Sequence, residues 1–434
     1  MKCIKYILAG SLMLAAASCQ LDDLPNPNGS SIEGFSQNAS KSELQTLVTG
    51  IEDLLRQDVG FYYDVVSIVG REYWFFTGSD PRYTGEVLGK GGSTLDNAGF
   101  YGTRPYYGRY RTVKNANILI DAVNNSTQIT QEEANGFLGF AKTFKAYELL
   151  LVANLQYTNG IRIDVDDPDN PGPFVDYDQA LTAILSLLDE ASTNLGAAGG
   201  SFAFKLSEAM AGFDDPAGFL KFNRGISARV ALYKGGDKPG VSKRLEDSFM
   251  DLAGDLNAGP ARYYSTAGGD FPNNLFRPRN QADAIIAHPS FVADLEVGDN
   301  RGSKVVKRDA DLSLDGLTGS YDVWVYKSLE DFVPFIRNEE LILIYAENNL
   351  GTNNSETLKA LNAVRNAAGL PNYGGAQTDD ALMDEIVKQR RYSLFGEGHR
   401  WIDMRRWGRL NQLPIDRPGD DVWEKFPRPV SEVQ

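Results

Sequence analysis

The chain has 434 residues, with 43 Lys+Arg against 58 Asp+Glu, two His, two Cys and a formal net charge of −15. A hydrophobic share of 42% and a charged share of 23% exclude wholesale disorder. The acidic balance excludes a nucleic-acid surface, which needs a basic excess, and two Cys with two His exclude a Cys₄ zinc site or a zinc finger. Twenty-two Phe, 20 Tyr and 5 Trp lean towards binding rather than nucleophilic or metal chemistry.

In chain order, Met1-Lys2-Cys3-Ile4-Lys5 and an apolar run from Tyr6 to Ala17 read as a signal peptide over residues 1–18. The run is too short to span a bilayer. Ala16-Ala17-Ser18 before Cys19 resembles a bacterial lipobox, which makes Cys19 the lipidated first residue of the mature chain. Cys3 is then discarded and Cys19 acylated, so no disulfide is expected. Several acyl chains on one Cys hold a protein firmly on a membrane. Leu21-Asp22-Asp23 behind the Cys resembles the surface-export signal of outer-membrane lipoproteins in Bacteroidetes. Residues 19–40, rich in Asn, Ser, Pro and Gly, read as a flexible tether.

Residues 41–434 are expected to form a single, mainly α domain. Thr130-x-x-Glu133 is a capping box, followed by the stripe Phe137, Leu138, Ala141, Phe144, Leu151 and Leu155. Tyr177, Leu181, Ile184, Leu188, Ala191 and Leu195 form a second stripe, stopped by Gly196. Asp215-Pro216 opens a helix that ends at Gly235-Gly236. Leu245, Phe249, Leu252 and Leu256 predict another. Pairs are expected at about 108–126 with 131–158, 177–195 with 217–235, 339–350 with 355–368, and 379–395 with 399–409. Helix hairpins in succession resemble degenerate tetratricopeptide-type repeats. Two stretches near 58–107 and 259–337 lack a helical period and read as insertions of loops and short strands, where function concentrates.

Residues 386–408 carry Arg390-Arg391-Tyr392, then Glu397-Gly398-His399-Arg400-Trp401 and Asp403-Met404-Arg405-Arg406-Trp407-Gly408. This block resembles the C-terminal signature of the SusD/RagB family, nutrient-capturing outer-membrane lipoproteins. The segments 335–347, 363–371 and 426–432 resemble the family's flanking elements in the same order. The resemblance implies a SusD-like helical fold, no catalysis, a ligand that is an oligosaccharide in most relatives and a peptide in a minority, and a place as lid over a SusC-like, TonB-dependent transporter. Within the block, the interleaved Glu397 and Asp403 are expected to accept forked Arg bonds beside packed Trp401 and Trp407, rather than leave an anion patch.

A sugar presents one apolar face and a rim of hydroxyls, so its site needs flat aromatics edged by polar groups. Three loop stretches offer that mixture: residues 70–83, with Trp74, Phe76, Asp80, Arg82 and Tyr83; Tyr263-Tyr264, followed by Asn273, Asn274 and Arg277; and residues 321–324, ending in Trp324. In an extended segment, Trp74 and Phe76 share one face and Tyr73 and Phe75 the other, and packing against a core is the competing role for each ring. Asp164-x-Asp166-Asp167-Pro168-Asp169-Asn170 offers hard oxygen ligands for calcium but lacks EF-hand spacing, so no cofactor is expected. A peptide-capture lipoprotein and a surface glycosidase are the alternative functions; no acid pair stands out for the latter.

Overall fold

A computed structural model describes residues 38–432 apart from residue 168. The expected signal peptide, Cys19 and nearly all of the tether lie outside the described residues. Helix α1 (Lys41–Arg56) starts at Ser40, whose backbone N–H reaches Glu43 at 2.8 Å in a capping box. Its stripe of Leu44, Val48, Ile51 and Leu55 is buried. Helices α3 (Phe100–Asn125) and α4 (Gln131–Gln156) form the first long hairpin, and Thr130 with Glu133 completes the predicted capping box of α4. α5 (Tyr177–Gly196) packs on α4, α6 (Pro216–Lys234) on α5, and α7 (Lys238–Glu246) on α6. Gly139 allows α4 and α5 to approach closely, because a Cβ there would meet Leu195 Cγ at 2.5 Å.

The later hairpin of α9 (Asn338–Asn349) and α10 (Asn354–Ala367) packs against α11 (Asp379–Ser393). Its apolar side chains, including Ile342, Leu361, Val364 and Ile386, form a second core beside the main one. The predicted mainly α scaffold of stacked pairs is therefore the fold. The fourth pair differs: α12 (Arg400–Arg406) packs on α2 (Val59–Val69) and is tied to α11 through Arg390 and Asp403.

Two expectations need correction. The stretch after residue 57 opens with α2, a helix buried from Tyr62 to Val69 without a break. A helix that is apolar all round shows no stripe, which is why its period was invisible. Conversely, the helix expected through Leu256 stops at Glu246. The segment beyond it is a loop pinned by Asn338, whose side chain accepts from Asp251 N at 2.9 Å and donates to Asp251 O at 2.7 Å.

The two aperiodic stretches meet in one four-stranded sheet of order β1-β5-β7-β6. β1 (Tyr73–Phe76) comes from the first stretch. β5 (Ala284–Ala287), β6 (Val305–Leu314) and β7 (Leu317–Val323) come from the second. β1 pairs antiparallel with β5, placing Trp74 opposite Ile286. Two-stranded pairs β2 (Ile161–Arg162) with β3 (Phe174–Val175), and β4 (Ala261–Arg262) with β8 (Val333–Pro334), complete the β structure among the described residues. There, no helix is long and apolar enough to cross a membrane.

Candidate functional site

β1 alternates as expected, with Trp74 stacked on Phe76 at 5.7 Å and Phe75 turned towards Tyr83 at 4.6 Å. Both faces of the strand are covered, however. Trp74 is 4% exposed and Phe76 is 1% exposed, and Tyr83 and Tyr264 are also buried. These four are therefore core side chains in this structure, and the expectation that they face ligand is corrected. The cause is the C-terminal segment, which lies across the Trp74 face: Asp416 accepts the indole N–H at 3.0 Å.

Asp80 and Arg82 stay near the surface but engage each other, with Arg82 Nε and Nη2 at 2.9 and 2.7 Å from the two carboxylate oxygens. These hydrogen bonds hold the Asp80 carboxyl below its ordinary range. The Arg82 guanidinium rests on the Phe100 ring at 4.5 Å. The same surface collects residues from the second stretch. Arg277 lies 5.6 Å above Phe75 and 3.7 Å from Asp64, while Phe276 meets Trp324 at 5.9 Å with Arg279 over the indole at 6.0 Å. Trp324, Phe276 and Phe75 are half-buried. Arg277 thus links Phe75 of β1 to the loop that carries Phe276, which in turn meets Trp324.

Tyr263 lies elsewhere. It is half-buried and packs against Phe332 at 5.5 Å, on the ridge formed by β4 and β8. A cleft of about 1030 Å³ opens on the Phe332 side and one of about 540 Å³ on the Tyr263 side. Phe276, Arg279 and Phe332 were not singled out in the sequence. Phe276-Arg277-Pro278-Arg279 is a local mixture of ring and cation of the kind sought, but its exposure is decided by tertiary packing alone.

The signature block forms the network expected of it. Arg390 grips Asp403 at 2.7 and 3.2 Å, Arg406 adds a bond to the same carboxylate at 2.9 Å, and Trp407 donates to Glu347 at 2.9 Å. Arg337 forks onto Glu397 at 2.6 and 3.1 Å. These charges are buried or half-buried and paired, so they brace the scaffold, and Arg337 and Glu397 also reach the wall of the larger cleft. His288 sits between Ser290 Oγ and Asp416 Oδ1, each at 2.7 Å, in the order of a hydrolytic triad. Its Nδ1 also accepts from the Ser290 backbone N–H, capping the short helix α8 (Pro289–Ala293), and Arg391 donates to Ser290 Oγ at 2.6 Å. The trio lines neither cleft and works as a buried cap. No group of three or more His, Cys, Asp or Glu suited to a metal ion occurs among the described residues.

Residues 321–428 match the SusD family. A SusD superfamily protein from Bacteroides vulgatus shares the fold with a TM-score of 0.68 at 15% identity, over 91% of this chain and 97% of that one. Surface glycan-binding protein A from Bacteroides thetaiotaomicron, in complex with laminarihexaose, also gives 0.68, at 14% identity over 91% and 97%. A laminarin-binding SusD-like protein gives 0.65 at 18% identity over 92% and 98%. No curated protein matches the sequence. The SusD/RagB resemblance holds: the C-terminal quarter carries the family's sequence, and the described chain carries its fold.

Proposed function

We propose that this protein captures an oligosaccharide at the cell surface, on the platform that Trp324 and Phe276 form with Arg279, Arg277 and the Asp80–Arg82 pair. The observation that carries this reading is the half-buried Trp324, whose indole is set beside a second ring and under a guanidinium group. A flat ring takes the apolar face of a sugar, and the surrounding N–H groups and carboxylates take its hydroxyls. The ligands of two fold neighbours, laminarin and laminarihexaose, support the class of ligand.

The finer parts of the proposal follow from the resemblance and from residues outside the described region. Cys19 anchors residues 41–434 to the outer membrane through the 19–40 tether, and the domain closes over a SusC-like, TonB-dependent transporter. The protein binds and delivers without cleaving. Isothermal titration of the wild-type chain against a broad glycan panel tests the central claim, with Trp324→Ala expected to weaken binding about tenfold, the equivalent of roughly 1.4 kcal/mol. Silence across the panel, or unchanged affinity in the Trp324 variant, would overturn it. A protein digest that binds where no glycan does would transfer the platform to peptide capture.

A further inference from the structure

We infer that the two clefts flanking the Tyr263–Phe332 pair form one saddle for an extended, uncharged oligosaccharide, a contact surface additional to the Trp324 platform. The inference rests on the glycan-binding reading above. Phe332 edges the cleft of about 1030 Å³, Tyr263 edges the cleft of about 540 Å³, and Ala261 of β4 lines both. The two rings, 5.5 Å apart and tilted by 49°, stand on the ridge between. Each cleft is in or near the size range of small-ligand sites.

Exposed apolar side chains converge on the same ridge. Phe271, Leu329 and Phe332 are 37%, 43% and 39% exposed. Their loops are stitched together, with Asn273 N donating to Leu329 O at 2.7 Å and Asn273 Nδ2 to Asp331 O at 2.8 Å. Grouped exposed rings on a fixed backbone mark an interaction surface rather than incidental exposure, and the fixed loops spare a ligand the cost of ordering them.

The rims match a hydroxyl-bearing chain. Gln45 and Thr49 line the smaller cleft; Asn257, Asn300 and Ser303 line the larger. Glu330, bonded by the Thr266 hydroxyl, is held below its ordinary range. For Asp331, burial pushes upwards, but the Lys327 N–H and the Ser328 hydroxyl outweigh it. Both acids are ionised at neutral pH, and with Glu208, Asp255, Glu339 and Glu397 they outnumber Arg301, Lys304 and Arg337 along the larger cleft, so the lining accepts from sugar hydroxyls and repels polyanions. Val325 and Tyr326, which directly follow Trp324, line the larger cleft and place it next to the platform in the chain.

The test is calorimetry on the mature chain with short and long gluco-, manno-, xylo- and galacto-oligosaccharides, and with polygalacturonate. Wild-type affinity is expected to rise with chain length in a neutral series. Phe332→Ala and Tyr263→Ala should each remove most of that rise, about tenfold, while leaving short oligomers unaffected. Trp324→Ala should weaken both lengths. Ser303→Trp, an exposed position that leaves the core untouched, should block the larger cleft and abolish the rise without altering the melting temperature. Long oligomers that bind all three saddle variants as tightly as wild type would overturn the saddle and leave the platform standing. Tight polygalacturonate binding that Ser303→Trp abolishes would overturn the uncharged-ligand assignment. Silence of the wild type towards every carbohydrate would remove both this inference and the reading beneath it.

Discussion

Trp74 donates its indole N–H to Asp416 Oδ2 at 3.0 Å, and that carboxylate fastens the C-terminal segment to the sheet. His288 Nε2 lies 2.7 Å from the other oxygen, and the Arg71 guanidinium lies 3.3 Å away. Burial pushes the Asp416 carboxyl up, but its bonds to His288, Arg71 and Trp74 outweigh that and keep it below its ordinary range.

Removing the carboxylate leaves buried donors without an acceptor. Asp416→Ala is expected to cost about 3–5 kcal/mol, as for a broken buried ion pair, read by chemical denaturation. Oligosaccharide affinity should change less than twofold. Trp74→Ala should likewise lose about 3–5 kcal/mol from its cavity; a loss of affinity at unchanged stability would instead return Trp74 to the binding surface.

Glu72 is 2% exposed and accepts from Gly396 N at 3.2 Å, linking β1 to the signature block. Burial pushes its carboxyl up to about 7, despite bonds and charges that favour ionisation. The folded state therefore holds a proton that the unfolded chain releases near 4.5. Its contribution to stability is fully present below that value and is lost as pH rises to about 7, a change on the order of 3 kcal/mol. Glu72→Gln should show a flatter stability profile than wild type across this window; identical slopes would refute the assignment.

Glu296 supplies the opposite sign in a different window. Its bonds from Arg365 at 2.7 and 3.1 Å and from Lys388 at 2.6 Å hold the carboxyl down to about 2. The stability it lends is present above about 4.5 and is lost as pH falls towards 2. Glu296→Gln should reduce the acid sensitivity of unfolding below pH 4.5. An unchanged acid limb would show that the three bonds contribute little in solution.

Gly319 in β7 sits against the buried strand β5, where a Cβ would meet Ile286 Cγ2 at 2.3 Å and Trp74 Cζ3 at 3.5 Å. Gly319→Val should destabilise the protein by about 1–3 kcal/mol through overpacking. Ile286→Ala in the same chain should restore part of the loss, a coupling that a double-mutant cycle measures.

Much of the scaffold was legible because its determinants are local. The capping box at Thr130 and Glu133, the Pro216 start and the Gly235 stop act within a few residues, and α5 is striped because only one side is buried. The signature block was also legible, since Asp403 and Glu397 stand in sequence beside the arginines that surround them in space. α2 was not, because burial on every side erases the period. The loop after Glu246 was misread because Leu252 and Leu256 reach apolar neighbours from a backbone that Asn338, far along the chain, holds in place.

For the proposed binding surface the division is sharper. Local patterns fixed the helical frame, the segments that carry rings and charges, and the alternation of β1. Which rings remain reachable depends on long-range packing. Trp74 and Trp324 look equivalent in sequence, yet one is covered by a segment more than three hundred residues away and the other is not. Exposure is a property of what the rest of the chain leaves uncovered, and no local pattern encodes it.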